Sequence, residues 1–154
     1  MTIVFKPIST KDVRKFQASG LDAYGMVPEK SVSDGQGNPC RHCLCEIPKD
    51  AGMLILAFRP FDGLHAYAET GPIFLCRNRC AAFDGVSPAI LAPSQDYLIK
   101  GYCANDRIYY GTGQIASGAQ MKASAESIFT NSDVAYIHVR SARNNCYQAR
   151  IDRE

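Results

Sequence analysis

Two pairs of closely spaced cysteines are the residues with the clearest potential for chemistry. Cys40 and Cys43 form a C-x2-C pair with His42 between them, and Cys76 and Cys80 form a C-x3-C pair farther along the chain. Two thiolates that lie two or three residues apart on a tight turn can both reach one ion about 2.3 Å away, and two such turns complete a tetrahedron. The spacing therefore predicts a zinc site with Cys40, Cys43, Cys76 and Cys80 as its ligands.

Other roles for the same thiols stay open. Cys40 and Cys43 could instead form the redox pair of a thiol–disulfide oxidoreductase, although such a pair usually opens a helix after a strand and here it follows a loop. A zinc enzyme with three protein ligands and a water is a further alternative, and it requires one of the four cysteines to lie elsewhere. The thiols could also be inert, since buried cysteines behave as small hydrophobic groups. His42 could replace one ligand, and Cys45 is a spare thiol.

Polar residues on two other segments could form a binding site. In residues 134–140, the alternation of a strand puts Tyr136, His138 and Arg140 on one side and apolar residues on the other. We expect the polar side to be solvated or, as the alternative, to form the floor of a binding site. Glu69 could pair with Arg59 or with Arg140. The candidate binding residues are Arg59, Tyr67, Glu69, His138 and Arg140.

Composition narrows the class of protein. The chain has 154 residues, of which 46% are hydrophobic, and a formal net charge of +2. This small charge predicts neither nucleic acid nor an anionic membrane as a partner, which leaves an unknown small molecule or protein. The longest uncharged apolar run, residues 51–58, is far shorter than the roughly 20 residues that span a bilayer. The start of the chain shows no export signal, so we expect a cytoplasmic protein whose seven cysteines are kept reduced.

The elements that must position these residues are short. Ser9 and Asp12 predict the start of a first helix that Gly20 ends, and Ser117 with Gln120 predicts the start of a second helix over residues 119–129. Residues 24–39 lack periodicity and predict an internal flexible loop. Predicted strands cover residues 2–6, 53–58, 73–76, 134–140 and 146–151, with a hairpin of 97–103 and 107–110. This order predicts an α+β fold, a mainly antiparallel sheet with two short helices, in one compact domain over residues 1–154.

Several linked segments carry a resemblance to a known family. They are PCRHCL (39–44), RPF (59–61), YAETGPIF (67–74) and IHVR (137–140), with Cys146 near the end. Together they resemble a family of small bacterial proteins catalogued as a domain of unknown function, number 1203, and the resemblance extends over nearly the whole chain. In that family the position that matches Cys76 is often histidine, and since both side chains ligate zinc, the difference fits a ligand position.

The resemblance implies a small bacterial domain with no assigned activity, so the function has to come from the residues. The cysteine pairs favour a zinc-stabilised binding or interaction domain. Whether the protein is an enzyme stays open, since nothing in the sequence brings a nucleophile, a base and an orienting group together.

Overall fold

The chain folds into two antiparallel sheets and two helices, as described for residues 1–154 in a computed structural model. One sheet has five strands in the order β1-β8-β7-β5-β6, and the other has three in the order β2-β3-β4. The strands are β1 (Ile3–Lys6), β2 (Glu29–Val32), β3 (Gly52–Phe58), β4 (Gly71–Cys76), β5 (Asp96–Tyr102), β6 (Gln114–Ser117), β7 (Tyr136–Ser141) and β8 (Tyr147–Arg153). The α+β class and the single compact domain predicted from the sequence are confirmed.

Both helices begin where their capping residues predict. In α1 (Thr10–Gln17), the Ser9 hydroxyl accepts a hydrogen bond from the backbone N–H of Asp12 at 3.1 Å, which satisfies one of the free donors of the first turn. A 3-10 turn (Gly118–Gln120) leads into α2 (Met121–Ile128), and the Gln120 side chain accepts from the backbone N–H of Ser117. The two short helices are therefore specified locally.

The apolar side chains form two main cores. The larger packs α2 against the five-stranded sheet and includes Ile99, Ile137 and Phe129. The second packs α1 against the three-stranded sheet, and Val13, Leu54, Leu75 and the buried Cys40 belong to it. Since Cys40 lies inside this second core, packing fixes the position of its side chain.

Two local predictions were wrong, and one strand was missed. The 24–39 segment contains β2, an edge strand whose side chains are mostly exposed, so it has no apolar alternation to reveal it. Residues 107–110 form no strand, and only a single bridge joins Ile108 to Tyr102. The neighbours of β5 are instead β6, which the sequence did not reveal, and β7. None of the helices has the length and apolar character that a membrane-spanning segment requires.

Candidate metal centre

The first cysteine pair lies on a tight knuckle. The backbone N–H of Cys40 donates to the carbonyl of Cys45 at 2.9 Å, and the N–H of Leu44 donates to the carbonyl of Cys40 at 3.0 Å. Leu44 has a φ of +52°, a left-handed conformation that glycine usually supplies. Its side chain is fully buried in the larger core, which explains why leucine occupies this turn at a cost of about 1–2 kcal/mol.

The second pair lies at the end of β4 and in the loop that follows. Cys76 is the last residue of the strand, and the loop that carries Cys80 is held by α1. The Gln17 amide donates to the carbonyls of Cys76 and Asn78, each at 2.9 Å, and Arg14 donates to the carbonyl of Cys80 at 2.9 Å. A parallel bridge between Cys40 and Phe74 joins the knuckle to β4, so the two pairs face each other.

All four predicted cysteines come together. Their Sγ atoms lie within 4.8 Å of one another, with 4.0 Å between Cys40 and Cys80 and 4.0 Å between Cys43 and Cys76. A tetrahedron with zinc–sulfur bonds of about 2.3 Å has edges of about 3.8 Å. The cluster is therefore close to the size of a four-sulfur zinc site, and the four thiols could hold a metal ion.

Crowding four thiols in this way makes their ionisation strongly unequal. Hydrogen bonds from Cys43 and Cys76 hold the pKa of Cys40 far below its usual range. The same hydrogen bond to Cys40 raises the pKa of Cys43 to about 12, and hydrogen bonding to Cys40 and Cys43 raises the pKa of Cys76. Burial raises the pKa of Cys80. Because neighbouring thiolates repel one another, a divalent cation bound at this cluster would favour the ionised form of all four sulfurs.

Protein donors surround the sulfurs. The backbone N–H of Cys76 donates to Cys40 Sγ at 3.3 Å. The fully buried His42 ring has Nδ1 at 3.1 Å from Cys80 Sγ and Nε2 at 2.9 Å from the Thr10 hydroxyl. If the Thr10 hydroxyl donates to Nε2, the ring proton is on Nδ1 and points at the sulfur. His42 thus supports a ligand from outside the set of four sulfurs.

The remaining thiols lie outside the cluster. Cys45 is exposed, and its sulfur is 3.5 Å from the carbonyl of Cys43. Cys103 and Cys146 are partly buried and follow or precede a strand rather than lying within one. All seven cysteines are unpaired, and the 4.0 Å separations are about twice the length of a disulfide bond. The C-x2-C pair does not open a helix, which is the placement that thioredoxin-like chemistry uses.

A second group of predicted residues meets between the two sheets. Glu69, in the loop before β4, is 2.6 Å from Arg140 Nη2 and 2.9 Å from Lys100 Nζ. Of the two alternative pairs, Glu69–Arg140 is therefore present and Glu69–Arg59 is not, and Lys100 on β5 is a second cation on Glu69. Lys100 had no sequence signal, because its position opposite His138 depends on the register of β5 and β7.

The polar side of β7 is buried rather than solvated. His138 is 1% exposed and Arg140 is 5% exposed. Ring centroids of Phe61, Tyr102, Tyr136 and Tyr147 lie 4.7–5.2 Å from the imidazole of His138. Burial, with the charges of Arg140, Arg150 and Lys100, lowers the pKa of His138 well below its usual value, so the ring is neutral. Tyr136 lies on the same side of β7 as predicted, whereas Phe61, Tyr102 and Tyr147 were missed because they come from three other segments.

Arg59 and Tyr67 do not join this group. The Arg59 side chain donates to the carbonyl of Phe61 at 3.4 Å and faces a different groove, beside α1. Tyr67 pairs with the exposed Tyr110, with 3.1 Å between their hydroxyl oxygens. The predicted binding set therefore reduces to Glu69, His138 and Arg140.

Beside these residues is a cavity of about 340 Å³. It lies between the start of β4 and the turn that joins β7 to β8. Phe58, Pro60, Pro72 and Tyr147 form its apolar part, and Glu69, Thr70, Arg140, Asn144 and Asn145 contribute polar groups.

Comparison with known proteins identifies the family. No curated protein and no solved structure matches the chain. The family model for DUF1203, described as a protein of unknown function, matches residues 37–153. Since that stretch covers well over half of the chain and holds all four clustered cysteines, Glu69 and Arg140, the chain belongs to the DUF1203 family.

Proposed function

We propose that Cys40, Cys43, Cys76 and Cys80 bind one zinc ion as a structural centre, in a domain that binds a small molecule or a protein. The observation that carries the proposal is the convergence of four sulfurs, from two separate segments, to within 4.8 Å. Zinc held by four thiolates supplies a cross-link and leaves no coordination position for a water, so it stabilises the fold.

The surroundings of the sulfurs support a structural centre. His42 and the Cys76 amide can each donate to a thiolate, and Arg14 is anchored beside Cys80. Such donors orient ligands and disperse the negative charge of four thiolates. The zinc enzyme with an open position needs one cysteine away from the others, which this arrangement does not provide. Seven unpaired cysteines suit a reducing compartment such as the cytoplasm.

Metal analysis of protein purified without added zinc tests the proposal. We expect about one equivalent of zinc in the wild-type protein. Cys40→Ser and Cys80→Ser should lose the metal and melt at a lower temperature, because metal that binds only the folded state adds to folding free energy. Cys45→Ser is the matched control, since it removes an exposed thiol two residues from Cys43. Well under one equivalent in the wild type, or equal loss from Cys45→Ser, would contradict the zinc site.

Thiol titration separates this proposal from the oxidoreductase alternative. Zinc thiolates should stay unreactive until a strong chelator is added, and then four thiols should appear together. A redox pair would instead give two thiols that become accessible on reduction and disappear on oxidation, whether or not a chelator is present.

A further inference from the structure

The cavity beside Arg140 contains buried polar atoms that the protein leaves without hydrogen-bond partners. They are Nε and Nη2 of Arg140 and Oε2 of Glu69, from two residues that line the cavity. The one well-aligned hydrogen bond from the Arg140 guanidinium goes from Nη1 to the carbonyl of Asn145, at 3.2 Å, and the Tyr102 hydroxyl lies close to the same guanidinium. Buried polar groups in proteins almost always have partners, so this concentration indicates that a partner from outside the chain belongs here.

The Nε–Nη2 edge of Arg140 has the geometry of a carboxylate site. The N–H bonds of Nε and Nη2 point in the same direction, and this edge takes both oxygens of a carboxylate. Glu69 Oε2 lies 2.6 Å from Nη2 without an aligned hydrogen bond, and Nε has no protein partner. The Glu69 carboxylate thus neutralises the guanidinium from one end of this edge and does not bind both of its N–H groups.

The charges of this region favour an anion. Glu69 is the carboxylate that pairs with both Lys100 and Arg140, so this group of three side chains has a net charge of one positive unit. The nearby Arg150 is already paired with Asp152 at 2.6 Å. A cation would have to compete with two cations for one carboxylate, whereas an anion completes the balance.

The strand geometry directs Arg140 towards the cavity. A bulge between β7 and β8 interrupts the register after Val139, so that Tyr147 rather than Gln148 lies opposite Arg140. Bulges of this kind redirect side chains and are frequent beside functional sites. As a result, an aromatic ring and a guanidinium line the same space, together with Phe58 and Pro72.

We propose that this cavity binds a small organic acid, with its carboxylate on the Nε–Nη2 edge of Arg140 and its apolar part against Phe58, Pro72 and Tyr147. In the absence of ligand the Glu69 carboxylate contacts Arg140 Nη2, and the ligand carboxylate displaces it. Its side chain is 36% exposed and is held to Lys100 through the other oxygen, so it can turn towards solvent and keep that partner. The cavity volume of about 340 Å³ is at the small end of the range for ligand sites, which suits a small acid. The inference rests on the part of the proposed function that says the domain binds a small molecule or a protein.

Benzoate, its uncharged analogue benzamide and inorganic phosphate are suitable probes. Titration of the metal-loaded protein, followed by NMR of the Arg140 Nε–H and of Tyr147, should show saturable shifts with benzoate. Benzamide lacks the charge and phosphate lacks the apolar part, so each should bind at least about tenfold more weakly. Equal binding of benzamide would overturn the assignment of Arg140 as the anchor, and equal binding of phosphate would overturn the organic part.

Variants make the test independent of folding defects. Arg140→Met should weaken benzoate binding at least about tenfold, whereas Arg143→Met, on the exposed turn of the same hairpin, should change it by less than about twofold. Glu69→Gln should strengthen binding a few-fold, because it removes the carboxylate that competes with the ligand for Arg140. Weaker binding by Glu69→Gln, or an equal loss in Arg143→Met, would refute the proposal.

The metal content of each sample separates this inference from the zinc proposal. A protein with one equivalent of zinc that does not bind benzoate refutes the organic-acid site alone. A protein without zinc that still binds benzoate refutes the zinc centre alone.

Discussion

The contact between His42 Nδ1 and Cys80 Sγ gives the sharpest test of how the protein supports its cysteine cluster, and with the ring proton on Nδ1 it is a hydrogen bond to the sulfur. His42→Phe keeps a ring of similar size at a fully buried position but removes the donor that lies 3.1 Å from Cys80 Sγ. It also leaves the Thr10 hydroxyl without the acceptor that lies 2.9 Å away. We expect the variant to fold and to bind zinc more weakly than the wild type.

The magnitude follows from the charge on the acceptor. A hydrogen bond to a charged group contributes about 1.5–3 kcal/mol, which corresponds to about a 10- to 150-fold loss of zinc affinity. Losses of 10- to 100-fold are usual when such a supporting donor is removed. Because zinc stabilises only the folded state, the melting temperature of the loaded protein should fall by about 3–12 °C.

Competition with a colorimetric zinc chelator measures the affinity, and a thermal melt of the same samples measures the stability. Thr10→Val, which keeps the His42–Cys80 contact but no longer orients the ring, should lie between the wild type and His42→Phe. His65→Phe, in the loop where His65 packs on Phe61, is the matched control and should bind zinc as the wild type does. Unchanged affinity in His42→Phe would refute the supporting role. Complete loss of metal, as expected for Cys80→Ser, would show instead that His42 is itself a ligand.

Two further predictions concern the packing at Gly118 and the ionisation of Tyr102. A Cβ at Gly118 would clash with the carbonyl oxygen of Ala92, so Gly118→Ala should lower the melting temperature by about 2–12 °C. Gly113→Ala is the control, because no atom lies within 4 Å of a Cβ there, and equal melting temperatures of the two variants would contradict the packing seen at Gly118. Burial raises the pKa of Tyr102 to about 12, above the value near 10 of an unfolded chain. The folded state therefore keeps this proton longer, and its contribution to the free energy of unfolding is complete below pH 10 and is lost as the pH rises to about 12. Denaturant titrations across that interval should show a shallower decline for Tyr102→Phe than for the wild type, and identical slopes would contradict the shifted pKa.

Much of the local structure could be predicted from short-range patterns. The helix start at Ser9 depends on one hydroxyl and one amide three residues apart, and the structure shows that bond. The C-x2-C and C-x3-C spacings made four cysteines the candidate ligands, because thiols so close in sequence stay close in space whatever the rest of the chain does. The apolar run at 53–58 similarly identified β3. In each of these cases the residues that interact are neighbours in the chain.

The missed elements depend on distant partners. β2 and β6 are short edge strands whose exposed side chains carry little periodicity, so only their pairing with β3 and β5 makes them strands. The polar side of β7 looked like a solvated face because its own sequence alternates. Rings from Phe61, Tyr102 and Tyr147 cover it. Phe61 and Tyr102 lie far from β7 in the chain, and Tyr147 lies on β8, which a turn joins to β7.

By itself, then, the sequence determined the α+β class, the two capped helices and the identity of the four cysteines that could share one ion. Only the tertiary structure decided that the two pairs meet, that His42 and α1 support them, and that the buried Arg140 meets Glu69 beside a cavity. The physical reason is the range of the interactions. Capping bonds and knuckles are made within about five residues, whereas burial, charge balance and the meeting of two sheets depend on which distant segments pack together.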